Sequence, residues 1–232
     1  MLNNLLFRLF PPTCLLCGAP GDAGQDLCAG CRADLPVNDR PCRRCALPLP
    51  ATVSLICGQC QQEPPAFDRI IAPFLYQPPM DYLIKALKFQ GRLAFARLLG
   101  GLLGRMIADR NEPLPECLLP VPLHPSRLRE RGFNQALEIA RSAARPAGLT
   151  VRSDSLRRIR ATTPQTQLAG EARRHNVRGA FAVYRPITAR HVAIVDDVVT
   201  TGSTINELAR LLRTAGVAEI EVWACARTPP RG

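Results

Sequence analysis

The stretch Val192-Ala193-Ile194-Val195-Asp196-Asp197-Val198-Val199-Thr200-Thr201-Gly202-Ser203-Thr204 sets an apolar run, two carboxylates and a Thr/Gly/Ser-rich turn in direct succession. Val192 to Val195 has the length of a strand buried on both faces, as in a parallel sheet. The apolar run stops at the acid pair, and a helix is expected from Ser203. Strand, turn and helix in that order put the turn at the carboxyl end of the strand, where open α/β sheets bind ligands. The two Asp side chains can accept hydrogen bonds from a vicinal diol. Thr200, Thr201, Gly202, Ser203 and Thr204 offer hydroxyls and successive backbone N–H groups, an anion nest at a helix start. Gly202 is expected to let the backbone approach an anion closely. Two carboxylates repel a phosphate set beside them, so the phosphate belongs further along the loop. A phosphorylated sugar fits this order of groups.

Outward from that stretch, strands and helices alternate. Helices are expected over Met80 to Phe89, about 92–108, Asn134 to Ala144, about 167–177 and Ser203 to Ala215. Strands are expected at 117–121, Ala180 to Val183, His191 to Asp196 and Glu219 to Ala226. The alternation predicts a parallel α/β sheet flanked by helices, with strand order left open. The run Leu93 to Ile107 is apolar but carries Arg97 and Arg105, which marks a core helix. No stretch reaches the roughly 18 apolar residues of a membrane span, so no membrane insertion is expected. The first 13 residues lack a small-residue cleavage site, which argues against a signal peptide and for a cytoplasmic chain.

The 232 residues, 47% hydrophobic, are enough for a full domain and a smaller appendage. The net charge is +11, carried almost wholly by Arg, with Lys at positions 85 and 88. Such a surface attracts polyanions without naming one.

Eight of the ten cysteines fall in four Cys-x-x-Cys pairs: Cys14/Cys17, Cys28/Cys31, Cys42/Cys45 and Cys57/Cys60. This spacing suits metal ligation better than a secreted disulfide framework. The segment is an internal repeat, since Cys14-x-x-Cys17-Gly18-Ala19-Pro20 recurs as Cys42-x-x-Cys45-Ala46-Leu47-Pro48. Inner cysteines are separated by 10 residues in the first copy and 11 in the second, while the gap from Cys31 to Cys42 is also 10. Each copy can therefore close on one tetrahedral site, and interleaved pairings stay open. Four thiolates leave no vacant position, so two structural Zn2+ ions are expected rather than a catalytic one. Eight thiolates around two divalent ions lower the net charge but leave the chain basic. Glu63-Pro64-Pro65 reads as the linker, dividing a double zinc-ribbon module at 1–66 from a second domain at 67–232. Cys117 and Cys225 lie in apolar strands and are assigned to the core. His124, His175 and His191 show no partner spacing and are assigned structural places.

Arginines cluster before and after the second expected helix pair. Pro122 and Leu123 lead to Arg127, Arg129 and Arg131, whose alternation suits bidentate phosphate contacts. Arg157, Arg158 and Arg160 precede Thr162-Thr163-Pro164-Gln165-Thr166-Gln167, a polar segment suited to closing over a ligand. Arg173, Arg174 and Asn176 follow.

The Val192–Thr204 stretch closely resembles the phosphoribosyl-pyrophosphate (PRPP) signature of type I phosphoribosyltransferases. That resemblance implies that Asp196 and Asp197 hold the ribose hydroxyls, that Val198 and Val199 belong to the signature, and that Thr200 to Thr204 hold the 5′-phosphate. It also implies Mg2+ bound with PRPP, and a pyrophosphate loop formed by Pro122, Leu123, Arg127, Arg129 and Arg131. Tandem Cys pairs, Ala86-Leu87-Lys88-Phe89, Val121-Pro122-Leu123, Arg131-Gly132-Phe133-Asn134-Gln135 and Arg160-Ala161-Thr162 accompany it in this order. Together they resemble the ComF family, in its GntX-like branch, over nearly the whole chain. The resemblance implies a zinc ribbon joined to a phosphoribosyltransferase domain and a role in natural competence or the use of DNA as a nutrient. Single-stranded DNA is an implied partner, as are a competence helicase or other DNA-processing proteins. Three activities fit: PRPP binding with DNA contact, phosphoribosyl transfer to an acceptor, or a zinc adaptor. Aromatic residues make up 5% of the chain, so DNA contacts are expected to be phosphate-dominated and salt-sensitive.

Overall fold

The computed structural model describes residues 11–22, 24–51, 54–161 and 177–230. The N-terminal segment folds as two similar knuckles, each leading to a short helix. Cys14 N donates to Ala19 O at 2.7 Å and Gly18 N to Cys14 O at 2.9 Å. In the second copy Cys42 N donates to Leu47 O at 2.8 Å and Ala46 N to Cys42 O at 2.9 Å. The sequence repeat is thus a repeat of hydrogen bonds, and Gly18 and Ala46 share a left-handed backbone, with φ of 78° and 54°. The helices are α1 (Ala29–Ala33) and α2 (Gly58–Gln62), begun by Cys28 and Cys57.

Neither knuckle stands apart from the rest. Ile70 N donates to Arg44 O and Leu75 N to Pro36 O, both at 2.7 Å. Asn38 Nδ2 bridges Ala46 O at 2.9 Å and Ala72 O at 3.2 Å. Cys14, Leu27 and Leu35 are buried in the main hydrophobic cluster. A segment too small to bury a core of its own borrows one from the larger domain.

The main sheet is parallel, in the order β1 (Arg69–Ile71), β8 (Glu219–Arg227), β7 (His191–Val199), β3 (Cys117–Pro120), β4 (Thr150–Val151). Strand β2 (Phe74–Leu75) extends the pairing along β8. Alternation along β7 feeds two separate cores. Ala193 and Val195 face Leu83, Phe95, Leu99 and Ile139. Val192 and Ile194 face Ile205, Leu208 and Leu212. The first layer holds α3 (Met80–Gln90), α4 (Leu93–Ala108) and α6 (Gln135–Ala147); the second holds α7 (Ser203–Thr214). Helices α4 and α6 approach closely, because a Cβ on Gly100 would lie 2.5 Å from Ile139 O. Cys117 and Cys225 are buried, as expected.

Several elements differ from the sequence reading. Strand β7 does not end at Asp196 but runs on through Asp197 to Val199, because β8 pairs with it through Val199↔Arg227. Pro125 to Arg131 forms a helix, α5, capped by His124 Nδ1 accepting from Ser126 N at 3.3 Å. Leu156–Arg158 (β5) and Phe181–Val183 (β6) make a separate antiparallel pair. The helix expected at 167–177, Val177 excepted, and the polar segment 162–167 lie outside the described residues, as do Arg173, Arg174, His175 and Asn176. At the amino ends of the strands, fully buried Glu221 receives Arg69 at 2.7 Å, Arg110 at 3.0 Å and Trp223 Nε1 at 2.7 Å. His191 Nε2 lies 3.5 Å from Glu221, within this structural ion cluster. Among the described residues no helix is long and apolar enough to cross a membrane.

Candidate functional site

The carboxyl end of β7 carries the acid pair and then turns into α7 at Gly202. Gly202 adopts φ 77°, the left-handed region, while a Cβ there would meet Val199 Cγ1 only at 3.9 Å. Glycine is needed for the backbone dihedral rather than for space. Gly202 is also the N-cap of α7 and gives it no side-chain acceptor. Thr201 Oγ1 and Ser203 Oγ are 2.8 Å apart, and Ser203 N donates to Thr201 Oγ1 at 3.4 Å. Hydroxyls and a helix start therefore converge at one turn, the arrangement that binds anions. Val198 is half-buried, and Val199 is buried with its side chain in the α7-side core.

The two acids are not equivalent. Asp197, 2% exposed, pairs through Oδ2 with Lys88 Nζ and accepts from Gln135 Nε2 at 3.2 Å. Asp196 is half-buried and accepts from Asp197 N at 2.9 Å. Burial, then the adjacent Asp197 charge, push the Asp196 carboxyl well above the usual carboxylate range, with Lys88 opposing. Asp196 is the member of the pair with less compensation and more access.

Cations gather on one side of this pair. Lys88, Arg127 and Arg131 line one pocket with Phe89 and Phe133. Arg131 Nη1 donates to Gln135 Oε1 at 2.5 Å, which links it to Asp197. Burial pulls the Arg131 guanidinium below its ordinary value, with Asp197 opposing. Arg158 is likewise lowered by burial, with Asp196 opposing and Arg127 adding to the shift. Arg131 and Arg158 thus lie within reach of the acid pair's field, and Arg127 lies close enough to repel both.

The other candidates are placed elsewhere. The alternation of Arg127, Arg129 and Arg131 gains nothing from period two, because α5 is helical. Its four-residue spacing sets Arg127 and Arg131 on one face, and Arg129 is exposed away from the pocket. Pro122 is buried and Leu123 half-buried between β3 and α5. Arg157 stacks on Tyr184, its Cζ 3.1 Å from the ring centroid, and Arg160 donates to Arg178 O at 2.5 Å.

Lys88 and Gln135 stand in the family motifs with no role assigned by sequence, and Arg227 carries no sequence signal at all. Lys88 had a signal: it follows Ile84 by one helical turn, on the apolar face of α3, in a chain with one other lysine.

The cysteines assemble in sequence order, Cys14/Cys17/Cys28/Cys31 and Cys42/Cys45/Cys57/Cys60, with ligand atoms within 4.8 Å of one another. This excludes the interleaved pairing. Sγ–Sγ separations are 3.7 Å for Cys17–Cys28 and 3.6 Å for Cys45–Cys57. A tetrahedral zinc with bonds of about 2.3 Å holds its sulfurs roughly 3.8 Å apart, so both groups fit. Burial opposes ionisation of Cys14, but backbone N–H groups of Cys28, Cys17 and Leu16 outweigh it and bring the thiol down to about 6. Cys42 comes down to about 7 against the same opposition, through the Cys45, Cys57 and Arg44 amides. One thiol in each ribbon is thus drawn toward thiolate, the form that binds metal, while Cys31 is pushed up by the neighbouring Cys17 and Cys28 sulfurs and Cys45 and Cys60 chiefly by burial.

A parallel sheet with an acid pair and anion-binding turn at the end of β7, joined to two four-cysteine knuckles, defines a phosphoribosyltransferase-like protein with a double zinc ribbon. Residues 5–61 match the double zinc ribbon domain, and residues 136–230 match the phosphoribosyl transferase domain. DNA utilization protein YhgH of Salmonella typhi is 37% identical over 223 residues, covering 94% of this chain and 98% of that protein. YhgH of Shigella flexneri is 37% identical over 224 residues, with the same coverage of 94% and 98%. Competence protein F of Haemophilus influenzae is 34% identical over 236 residues, covering 98% of this chain and 100% of that protein. The chain belongs to the ComF family that these competence and DNA-utilisation proteins represent.

Proposed function

We propose that this chain is a cytoplasmic protein of DNA uptake and utilisation that binds PRPP with Mg2+ and contacts single-stranded DNA. The observation that carries the reading is the acid pair at the end of β7 with two unlike features attached to it, one along the chain and one through the Lys88–Asp197 ion pair. One is the Thr201–Ser203 turn at the start of α7, suited to a 5′-phosphate. The other is the pocket of Lys88, Arg127 and Arg131, suited to a pyrophosphate. Asp196, between them in sequence and half-buried, is suited to the ribose hydroxyls. The double zinc ribbon and the basic surface support the DNA contact, as do the names of the relatives.

Calorimetry with PRPP/Mg2+ on the wild type and on Asp196→Asn/Asp197→Asn tests the pocket, with oligonucleotide binding run on the same samples. The variant is expected to lose PRPP and keep the oligonucleotide. Oligonucleotide affinity should fall steeply with salt, since phosphate contacts release counterions. A salt-insensitive interaction, or none, would remove the DNA part of the proposal.

A second reading, transfer of phosphoribosyl to an acceptor, rests on the same cationic pocket, which would stabilise departing pyrophosphate. Its test is pyrophosphate release in the presence of candidate bases and amines.

A further inference from the structure

The two zinc-ribbon sites sit on opposite faces of the main sheet. Cys14, with Cys28 and Cys31 beside it, packs into the core formed by α3 and α4. Cys45 and Ala46 belong instead to the core beneath α7. That places the second site next to the turn after β7. A cavity of about 160 Å³ lies between them, walled by Gln59 and Cys60 on one side and by Thr201, Gly202 and Ser203 on the other. This is about the volume known to hold a single aromatic ring in a protein interior.

Arg227, the last residue of β8, spans the gap and is 6% exposed. Its Nε donates to Cys45 O at 2.9 Å, the carbonyl of a second-site ligand. Its Nη1 donates to Val199 O at 3.0 Å, to Thr200 O, and to Thr228 O at 3.1 Å. In a trans peptide the carbonyl and the following N–H point in opposite directions. Holding the carbonyls of Val199 and Thr200 therefore turns the amides of Thr200 and Thr201 away from Arg227. A planar guanidinium can serve acceptors in several directions at once, which an ammonium on a flexible stem does poorly.

We propose that the second ribbon is a wall of the anion site and that Arg227 is the positioning residue joining them. Ordered Cys42/Cys45/Cys57/Cys60 fixes Arg227, and Arg227 fixes the turn; among the described residues the first ribbon has no such tie. Binding of phosphorylated ribose then depends on metal at the second site and not at the first. The inference rests on the reading of the turn as a phosphate site.

The test compares three variants with the wild type: Arg227→Lys, Cys42→Ser/Cys60→Ser, and Cys14→Ser/Cys31→Ser. Zinc content, ribose 5-phosphate affinity and amide hydrogen exchange are measured on each. Arg227→Lys should keep both zinc ions, weaken ribose 5-phosphate by about tenfold, as loss of a charge-assisted hydrogen-bond set predicts, and raise exchange across residues 199–204. The second-site variant should do the same with one zinc lost, while the first-site variant keeps wild-type affinity and exchange in that turn. Exchange protection of β3 and β7 shows whether each variant has kept its fold. If the wild type binds no ribose 5-phosphate, the phosphate reading fails, and the exchange data still decide the tie between ribbon and turn. Unchanged exchange and affinity in Arg227→Lys, or equal losses from both ribbon variants, would overturn the proposal.

Discussion

Lys88 Nζ on α3 forms an ion pair with Asp197 Oδ2 on β7, joining the helix that covers the sheet to the acid pair at its ligand end. Burial works against the lysine charge, but Asp197 and then Asp196 outweigh it and raise its pKa. Two neighbouring carboxylates at the edge of a core are mutually unfavourable, and one half-buried cation relieves that cost. Asp197 is thereby committed to holding the strand end, and Asp196 is the freer, half-buried carboxyl, the one the proposed function assigns to the ligand.

Replacing Lys88 by Met should therefore destabilise the fold by about 3 kcal/mol, since it strands a buried carboxylate with Gln135 as its remaining side-chain hydrogen-bond donor. The double variant Lys88→Met/Asp197→Asn should recover at least about 1 kcal/mol of this, because the stranded charge is gone. Urea unfolding of the four forms measures the coupling. Strict additivity would show instead that Lys88 acts through its aliphatic stem.

Legibility from sequence followed the length of each signal. The α4 run and the α7 pattern are long and periodic, Val192–Val195 is unbroken apolar sequence ended by two acids, and each forms an element of the expected type. β1, β2, β4 and β5 have two or three residues each, and their strand character comes from neighbours rather than from their own pattern. The Arg127/Arg129/Arg131 alternation reads as a phosphate-gripping loop, yet His124 and Pro125 start a helix there, with the imidazole as cap and proline at its first position. Arg227 was illegible for another reason. Its partners are carbonyls 1, 27, 28 and 182 positions away, and a backbone carbonyl leaves no mark in a sequence.

The close approach of α4 and α6 is the next point of strain. Gly100→Ala would drive a methyl to 2.5 Å from Ile139 O and 2.6 Å from Ser142 Cβ, both on a packed helix that cannot yield without moving the core. A loss of about 2 kcal/mol is expected from such overpacking. At Gly101, one residue on, nothing lies within 4 Å of an added Cβ, so Gly101→Ala should be neutral or slightly stabilising. Thermal unfolding of the pair distinguishes packing from helix propensity.

Glu221 gives a pH-dependent term with a definite sign. Burial pushes its carboxyl up, but hydrogen bonds from Arg110, Arg69 and Trp223 outweigh this and hold it below its ordinary 4.5. A folded-state value below the unfolded one contributes stability that is present above about 4.5 and fades as pH falls through the folded value. Glu221→Gln should remove that contribution and leave two guanidiniums short of a counter-charge. The gap in urea midpoint between wild type and variant should be wide at neutral pH and narrow in acid.

Asp196 runs the opposite way, and its consequence falls on ligand binding. Burial and the Asp197 charge raise its pKa, so the free protein holds a proton there to higher pH than an ordinary aspartate would. A ribose diol, with or without Mg2+, favours the carboxylate form, because the ionised group is the stronger acceptor. Binding should therefore release a proton at pH values below the raised value, and affinity should climb with pH until that value is passed. Calorimetry of PRPP/Mg2+ in two buffers of different ionisation enthalpy counts the proton directly. Asp196→Asn should abolish the buffer dependence while the Lys88–Asp197 pair, and with it the strand end, stays intact. A buffer-independent enthalpy in the wild type across acid to neutral pH would mean that Asp196 keeps the same protonation state with and without ligand, and that the sugar is held by other groups.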